Sequence, residues 1–188
     1  MHGDILDEDE LPKEGMKMTK MTSAYANKMI RKLNEDKEFW RAKENEGYLY
    51  VAALDEEPVI PDYDYREVSA RIAEIDEKIA KIKHAINLAN CTNTVEEGGE
   101  KMTIDTVLVK MSQLNRRKDM LDNMRKHQPK VRLNTSLYSQ RKTAPEYQYI
   151  NYDLEQVQKD YDVIDARIAS LQLVLDKYNQ TVEFDVDV

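Results

Sequence analysis

The chain has 188 residues, 34% of them charged and 41% hydrophobic, with only 5 glycines and a formal net charge of −8. So negative a field excludes a general DNA or RNA binder, since phosphate backbones need a positive surface, and a single cysteine, Cys91, excludes an internal disulfide and suits a reducing compartment. No run approaches the ~18 apolar residues of a membrane span, and Asp4, Asp7, Glu8, Asp9 and Glu10 stand where a signal peptide needs basic and then apolar residues, so a soluble cytoplasmic protein is expected.

Residues 1–17 are acidic and poor in large apolar side chains. Such a segment cannot bury enough surface to offset chain entropy and is expected to be a disordered leader. A single helical domain is expected over 18–188, with an oligomer completing its core. A first helix is expected over 19–44, on the stripe Met21, Tyr25, Met29, Leu33 with Ile30 beside it, resuming at Phe39 and Trp40. Gly47 to Asp62 breaks the periodicity. Gly47-Tyr48-Leu49-Tyr50-Val51 reads as a short strand or packed extended segment, and Pro58 and Pro61 forbid helix.

A second helix is expected over 64–93, capped by Asp62 or Asp64. Its seam, Val68, Ile72, Ile75, Ile79, Ile82, Ile86, keeps the 3-4 spacing of helix packing. Asn87, Asn90 and Asn93 fall on one side near its end. They are either a polar cap or a row of amides aimed at a ligand. Glu97-Gly98-Gly99 should then make a tight turn.

The third helix, 103–127, begins at Thr103 as cap, with Asp105 at its positive end. Its seam runs Ile104, Val107, Met111, Leu114, Lys118, Leu121, Arg125. Lys118 and Arg125 occupy positions where a heptad wants apolar residues. Either they snorkel outward, or this end, with Arg116 and Arg117, faces something anionic. Residues 128–150 form an unusually long connection. It is bracketed by Pro129 and Pro145, basic through Lys130, Arg132, Arg141 and Lys142, and aromatic through Tyr138, Tyr147, Tyr149 and Tyr152. Arginine forks and aromatic faces suit a phosphorylated, ring-bearing ligand, but also a β-ribbon packed on helices.

The fourth helix, 151–179, has an unbroken seam: Leu154, Val157, Tyr161, Ile164, Ile168, Leu171, Leu175, Tyr178. It should be dry through Ile164–Leu175 and polar near Tyr161, whose hydroxyl needs a partner. Residues 181–188 alternate like a half-buried strand. Candidate partners are 130–138, 47–52 or a neighbouring subunit. The fold expected is mainly α: about four long antiparallel coiled-coil-like helices, with a small β element from 130–150 and the C-terminal strand.

The runs Ile86-Asn87-Leu88-Ala89-Asn90-Cys91-Thr92-Asn93-Thr94, Met102-Thr103-Ile104-Asp105, Leu114-Asn115-Arg116-Arg117-Lys118-Asp119-Met120-Leu121 and Tyr161-Asp162-Val163-Ile164-Asp165-Ala166-Arg167-Ile168 resemble the septicolysin-like family, small bacterial and phage helical proteins. The resemblance spans about residues 19–179 and takes in the Glu56-Glu57-Pro58 linker; the acidic leader and valine-rich tail depart from it. It implies a helical bundle that oligomerises. The family name implies a cytolysin, yet no membrane-inserting stretch or amphipathic basic helix is present.

His2, His84 and His127 show neither metal-ligand spacing nor a neighbouring nucleophile pattern. No catalytic residue, metal or cofactor is expected. The reading that follows is a non-enzymatic homo-oligomer whose inter-subunit pockets hold a small anionic, nucleotide-like ligand, as in phage proteins that sequester nucleotide signals. Asn87, Asn90, Asn93, Arg116, Arg117, Arg125, Arg132, Tyr138, Arg141, Tyr147, Tyr149 and Tyr161 are the candidate ligand-binding residues. The alternatives are a structural coiled-coil assembly protein with no ligand and, less favoured, a membrane-active protein.

Overall fold

Long apolar seams become long helices. In a computed structural model that describes residues 18–133 and 145–187, α1 spans Ser23–Gly47, α2 Tyr65–Thr92, α3 Ile104–Arg125 and α4 Leu154–Thr181. Among the described residues, three two-stranded antiparallel sheets accompany them. They pair β1 (Met18–Thr22) with β6 (Glu183–Asp187), β2 (Thr94–Glu97) with β3 (Glu100–Thr103), and β4 (Lys130–Arg132) with β5 (Tyr147–Tyr149). The fold is mainly α with small β elements, as the periodicity predicts. The acidic leader lies outside the described residues. Two compact units result: one of the residues up to Ala89 and from Tyr178 onward, the other of Asn90–Lys177.

In the first unit, residues 18–22 are a strand and not the opening turn of α1. The C-terminal strand pairs with them, and with neither 47–52 nor the described residues 130–133; residues 134–138 of the other candidate partner lie outside the described residues. The register explains the choice. Lys20 stands opposite Asp185 and Met21 opposite Phe184, so charged and apolar side chains each meet a complement across the sheet. Thr22, at the end of β1, caps α1 by accepting a hydrogen bond from Tyr25 N at 3.3 Å. Met21, Ala26, Ile82 and Val186 form the buried centre, with Met29, Ile30, Leu33, Ile86 and Phe184 packed around it. Tyr25 and Phe39, assigned to the stripe by spacing, are exposed instead. Asp64 caps α2, its Oδ1 accepting from Arg66 N at 2.7 Å and Glu67 N at 3.3 Å. The seam is buried at Val68, Ile75, Ile79 and Ile82. The opposite face carries ion pairs such as Lys78–Glu74 at 2.7 Å, which contribute little in solvent.

In the second unit the expected turn is a β-hairpin. Gly98 and Gly99 have φ of +60° and +78°, the two left-handed central residues that a type I′ turn demands. The strands bring Val95 opposite Met102. Thr103 then caps α3, accepting from Thr106 N at 3.2 Å. Met102, Val107 and Leu171 make the buried core, flanked by Val95, Met111 and Leu114. The last helix begins at Leu154 and not at 151, because Asp153 is its cap: Oδ1 accepts from Glu155 N at 2.9 Å and Gln156 N at 3.2 Å.

Candidate functional site

Three places in the second unit bear on function, two of them singled out by the sequence. The first is the end of α3. Lys118 and Arg125 are half-buried, and both are engaged within the chain. Lys118 Nζ donates to Asp165 and lies 5.6 Å from the Tyr161 ring centre. Arg125 stacks 3.9 Å from the same centre, while Asp122 holds its Nε at 2.9 Å. One tyrosine ring thus accepts two cations, each pinned by a carboxylate. The hydrogen bond it donates to Asp165 raises the Lys118 ammonium above its usual range. Lys126 and Arg125 together hold the Asp122 carboxyl below its own. These polar intrusions into the heptad are satisfied by Asp122, Tyr161 and Asp165, so no anionic ligand is needed to explain them.

The second place is the β4–β5 ribbon. Leu133 N donates to Glu146 O at 2.9 Å and Ile150 N to Pro129 O at 3.3 Å, extending the pairing at both ends. Lys130 Nζ lies 4.2 Å from the Tyr147 ring centre and 5.4 Å from that of Tyr149. Tyr152 OH donates to Met124 O at 2.6 Å. A cleft of about 270 Å³ opens here, its wall formed by His127, Val131, Tyr149 and Tyr152 among others. Arg132, Tyr147 and Tyr149 are exposed. Tyr138 and Arg141 lie outside the described residues.

The third place is one that spacing did not reveal. A cavity of about 530 Å³ is lined by Glu100, Lys110, Gln113, Leu114, Arg117 and Arg167. Three elements supply these residues: β3 the carboxylate, α3 the lysine and Arg117, α4 the second arginine. Lys110 Nζ binds Glu100 at 2.5 Å, and Arg167 Nη2 reaches Glu100 at 3.4 Å and Glu97 at 3.5 Å. The Lys110 hydrogen bond, more than any other cause, holds the Glu100 carboxyl below its usual range. Of the ten candidate residues that are described, only Arg117 lines this cavity. Its neighbour Arg116 is exposed and lies off the lining. Glu100 and Arg167 escaped notice because each reads locally as one more charge on a solvated face.

The asparagine row is not brought into any of these places. Asn87 is exposed in the first unit, while Asn90 and Asn93 are half-buried in the second. Asn93 serves the fold, its carbonyl accepting from Ile104 N at 3.2 Å. Among the described residues, no group of three or more His, Cys, Asp or Glu could hold a metal, and no helix is long and apolar enough to cross a membrane.

A further surface lies in the first unit. Between α1 and α2 the chain runs through 48–64 with turns and bends only. The expected strand or packed segment at 47–52 does not form; Tyr48, Leu49, Tyr50 and Val51 are exposed, as are Leu54, Val59 and Ile60. Val51, Leu54 and Val59 keep 89% to 101% of their full accessibility. The base of this loop is closed where Gly47 meets Tyr63: a Cβ on Gly47 would lie 2.4 Å from Tyr63 Cβ. The segment's ends are thus in contact while its large apolar side chains stay exposed.

No family model matches the chain, and no curated protein matches it. It is similar to a solved structure described as a functionally unknown conserved protein from Corynebacterium diphtheriae, at 14% identity and a TM-score of 0.61, with 88% of this chain and 99% of that chain covered. At that identity the likeness establishes a shared fold and nothing of activity.

Proposed function

We propose that this chain is a self-associating interaction protein and not an enzyme, and that the 48–62 loop of one copy seats on a second copy. The exposed apolar loop carries the reading. Seven large side chains between Tyr48 and Ile60 face solvent in one segment, and contiguous exposed apolar surface of that kind marks a binding face. A loop of this length is also uncommon unless it has a role.

The occupant follows from charge. Asp55, Glu56, Glu57 and Asp62 make the loop acidic as well as apolar. The β4–β5 ribbon presents the complement: Lys130 and Arg132 beside the exposed Val131, Leu133, Tyr147 and Tyr149. An acidic apolar loop on one copy and a basic tyrosine ribbon on another match in both polarity and charge. Tyrosine and arginine are also the residues that anchor protein interfaces. Such a contact is head-to-tail, so it closes into a ring or reciprocal dimer when the geometry permits. The septicolysin-like resemblance, with its implied oligomer, agrees with this reading.

Light scattering on the purified chain tests it. A discrete oligomer is expected at micromolar concentration, falling to the 22.0 kDa monomer when Leu49→Asp and Val51→Asp are combined. Both side chains are exposed, so the variant should fold. A wild-type monomer, or an oligomer that survives the double change, would refute the proposal.

A further inference from the structure

The cavity between the β2–β3 hairpin, α3 and α4 holds an arrangement that self-association does not use. Its lining has three cations and one carboxylate, on a chain whose net charge is −8. Cations collected in a concave site against the sign of the whole protein mark a local function more sharply than the same residues on a basic protein. Their hydrogen bonding is also incomplete. A guanidinium has five donors. The Arg117 guanidinium makes no hydrogen bond or ion pair with another described residue, and Arg167 reaches its two carboxylates only at 3.4 and 3.5 Å. At the end of β2, Oε2 of Glu97 is buried and accepts no hydrogen bond among the described residues. Glu97 therefore needs Arg167 nearby but does not saturate it. Glu100 is different. It is exposed, stands next to the Gly98-Gly99 turn, and is bound chiefly by Lys110.

We infer that this cavity is a binding site for a small phosphate-bearing molecule, and that Glu100 is its internal competitor, occupying the Lys110 and Arg167 cations until a phosphate group displaces it. At about 530 Å³ the space is of the size that takes a small organic ligand. Lys110 supplies a point charge and the two arginines supply planar forks, the combination that recognises a phosphate from several sides. Leu114 gives the apolar wall on which the rest of such a ligand can rest. Displacement requires no change in the core, because Glu100 is exposed at the start of β3, beside a two-residue turn where a Cβ on either glycine would meet nothing within 4 Å.

The sign of the Glu100 effect separates this site from an ordinary structural ion-pair cluster. Titration calorimetry with inorganic phosphate, pyrophosphate and ADP should show binding to the full chain that weakens as salt is raised. Arg117→Gln and Arg167→Gln should each weaken it about ten- to hundredfold, the range for losing a charged hydrogen-bonding partner. Arg116→Gln, one residue away and off the lining, should leave it within about twofold, as exposed charges contribute little. Glu100→Gln should tighten it. Arg117 is exposed, so its variant tests the site even if the Arg167 variant is unstable. Binding of none of the three probes at millimolar concentration overturns the inference. So does binding that Glu100→Gln weakens, or that Arg117→Gln leaves unchanged. The result is independent of the oligomeric state, which light scattering on the same samples reports.

Discussion

Replacing Gly47 with alanine adds a Cβ 2.4 Å from Cβ and 2.8 Å from Cγ of Tyr63. Both atoms lie at the root of the side chain, so no rotamer change removes the clash; the backbone at one side of the loop base must move. Overpacking of this kind costs about 1–3 kcal/mol. Against it, alanine is the better helix former by about 0.5–1 kcal/mol, and Gly47 is the last residue of α1. The net is a loss of up to about 2.5 kcal/mol, which at ~2–4 °C per kcal/mol lowers Tm by up to about 10 °C. Circular dichroism melts of four proteins decide the matter: wild type, Gly47→Ala, Tyr63→Gly and the double variant. In the Tyr63→Gly background the contacting atoms are gone, so Gly47→Ala should be neutral or stabilising there, giving a positive coupling between the two positions. If Gly47→Ala raises Tm in the otherwise wild-type chain, helix propensity governs, and the loop is not closed at its base as described.

The remaining expectations concern the second unit. Leu171 is fully buried against Met102 and Val107, so Leu171→Ala should cost about 2–5 kcal/mol in denaturant titration, whereas Leu173→Ala, on an exposed position, should stay within about 0.5 kcal/mol. Tyr161→Phe keeps a ring beneath Arg125 and should cost less than about 1 kcal/mol, while Tyr161→Ala loses the cation–π stack as well as the packing and should cost clearly more; equal losses would mean the hydroxyl, not the ring, matters. Asp122 is held below the usual carboxylate range by Lys126 and Arg125, so its contribution is complete above the unfolded carboxyl pKa and is lost as pH falls through the folded one. The Tm gap between wild type and Asp122→Asn should therefore be constant above about pH 5 and shrink below about pH 4; a gap that widens in acid would reverse the assignment.

What could be read in advance was whatever a single helix face or a local cap records. The Ile79/Ile82 and Leu171/Leu175 spacings dictate burial wherever the helices pack, and Asp64 and Thr103 cap within two or three residues of themselves. β1 was illegible for the opposite reason. Met21 and Tyr25 also fit a helical i,i+4 step, and only the distant Phe184 and Val186 make residues 18–22 a strand. Lys118 and Arg125 stood out as heptad violations, yet the residue that explains both, Tyr161, belongs to another helix. The Glu100–Lys110–Arg167 cluster draws on three elements, and no spacing rule joins positions 57 or more residues apart such as Lys110 and Arg167.

The pairing of β1 with β6 has a kinetic meaning. Closing a chain between Thr22 and Glu183 joins ends roughly 160 residues apart, an entropic cost of about 4–5 kcal/mol by loop-closure scaling. Five residues a side repay that only once the intervening helices have formed and shortened the effective loop. This sheet should then be the last structure gained in refolding and the first lost in native-state hydrogen exchange. Amides of Lys20 and Asp185 would exchange ahead of those in the centre of α2. The two-stranded clasp would thus act as a reporter of whether the helices on either side of it are intact.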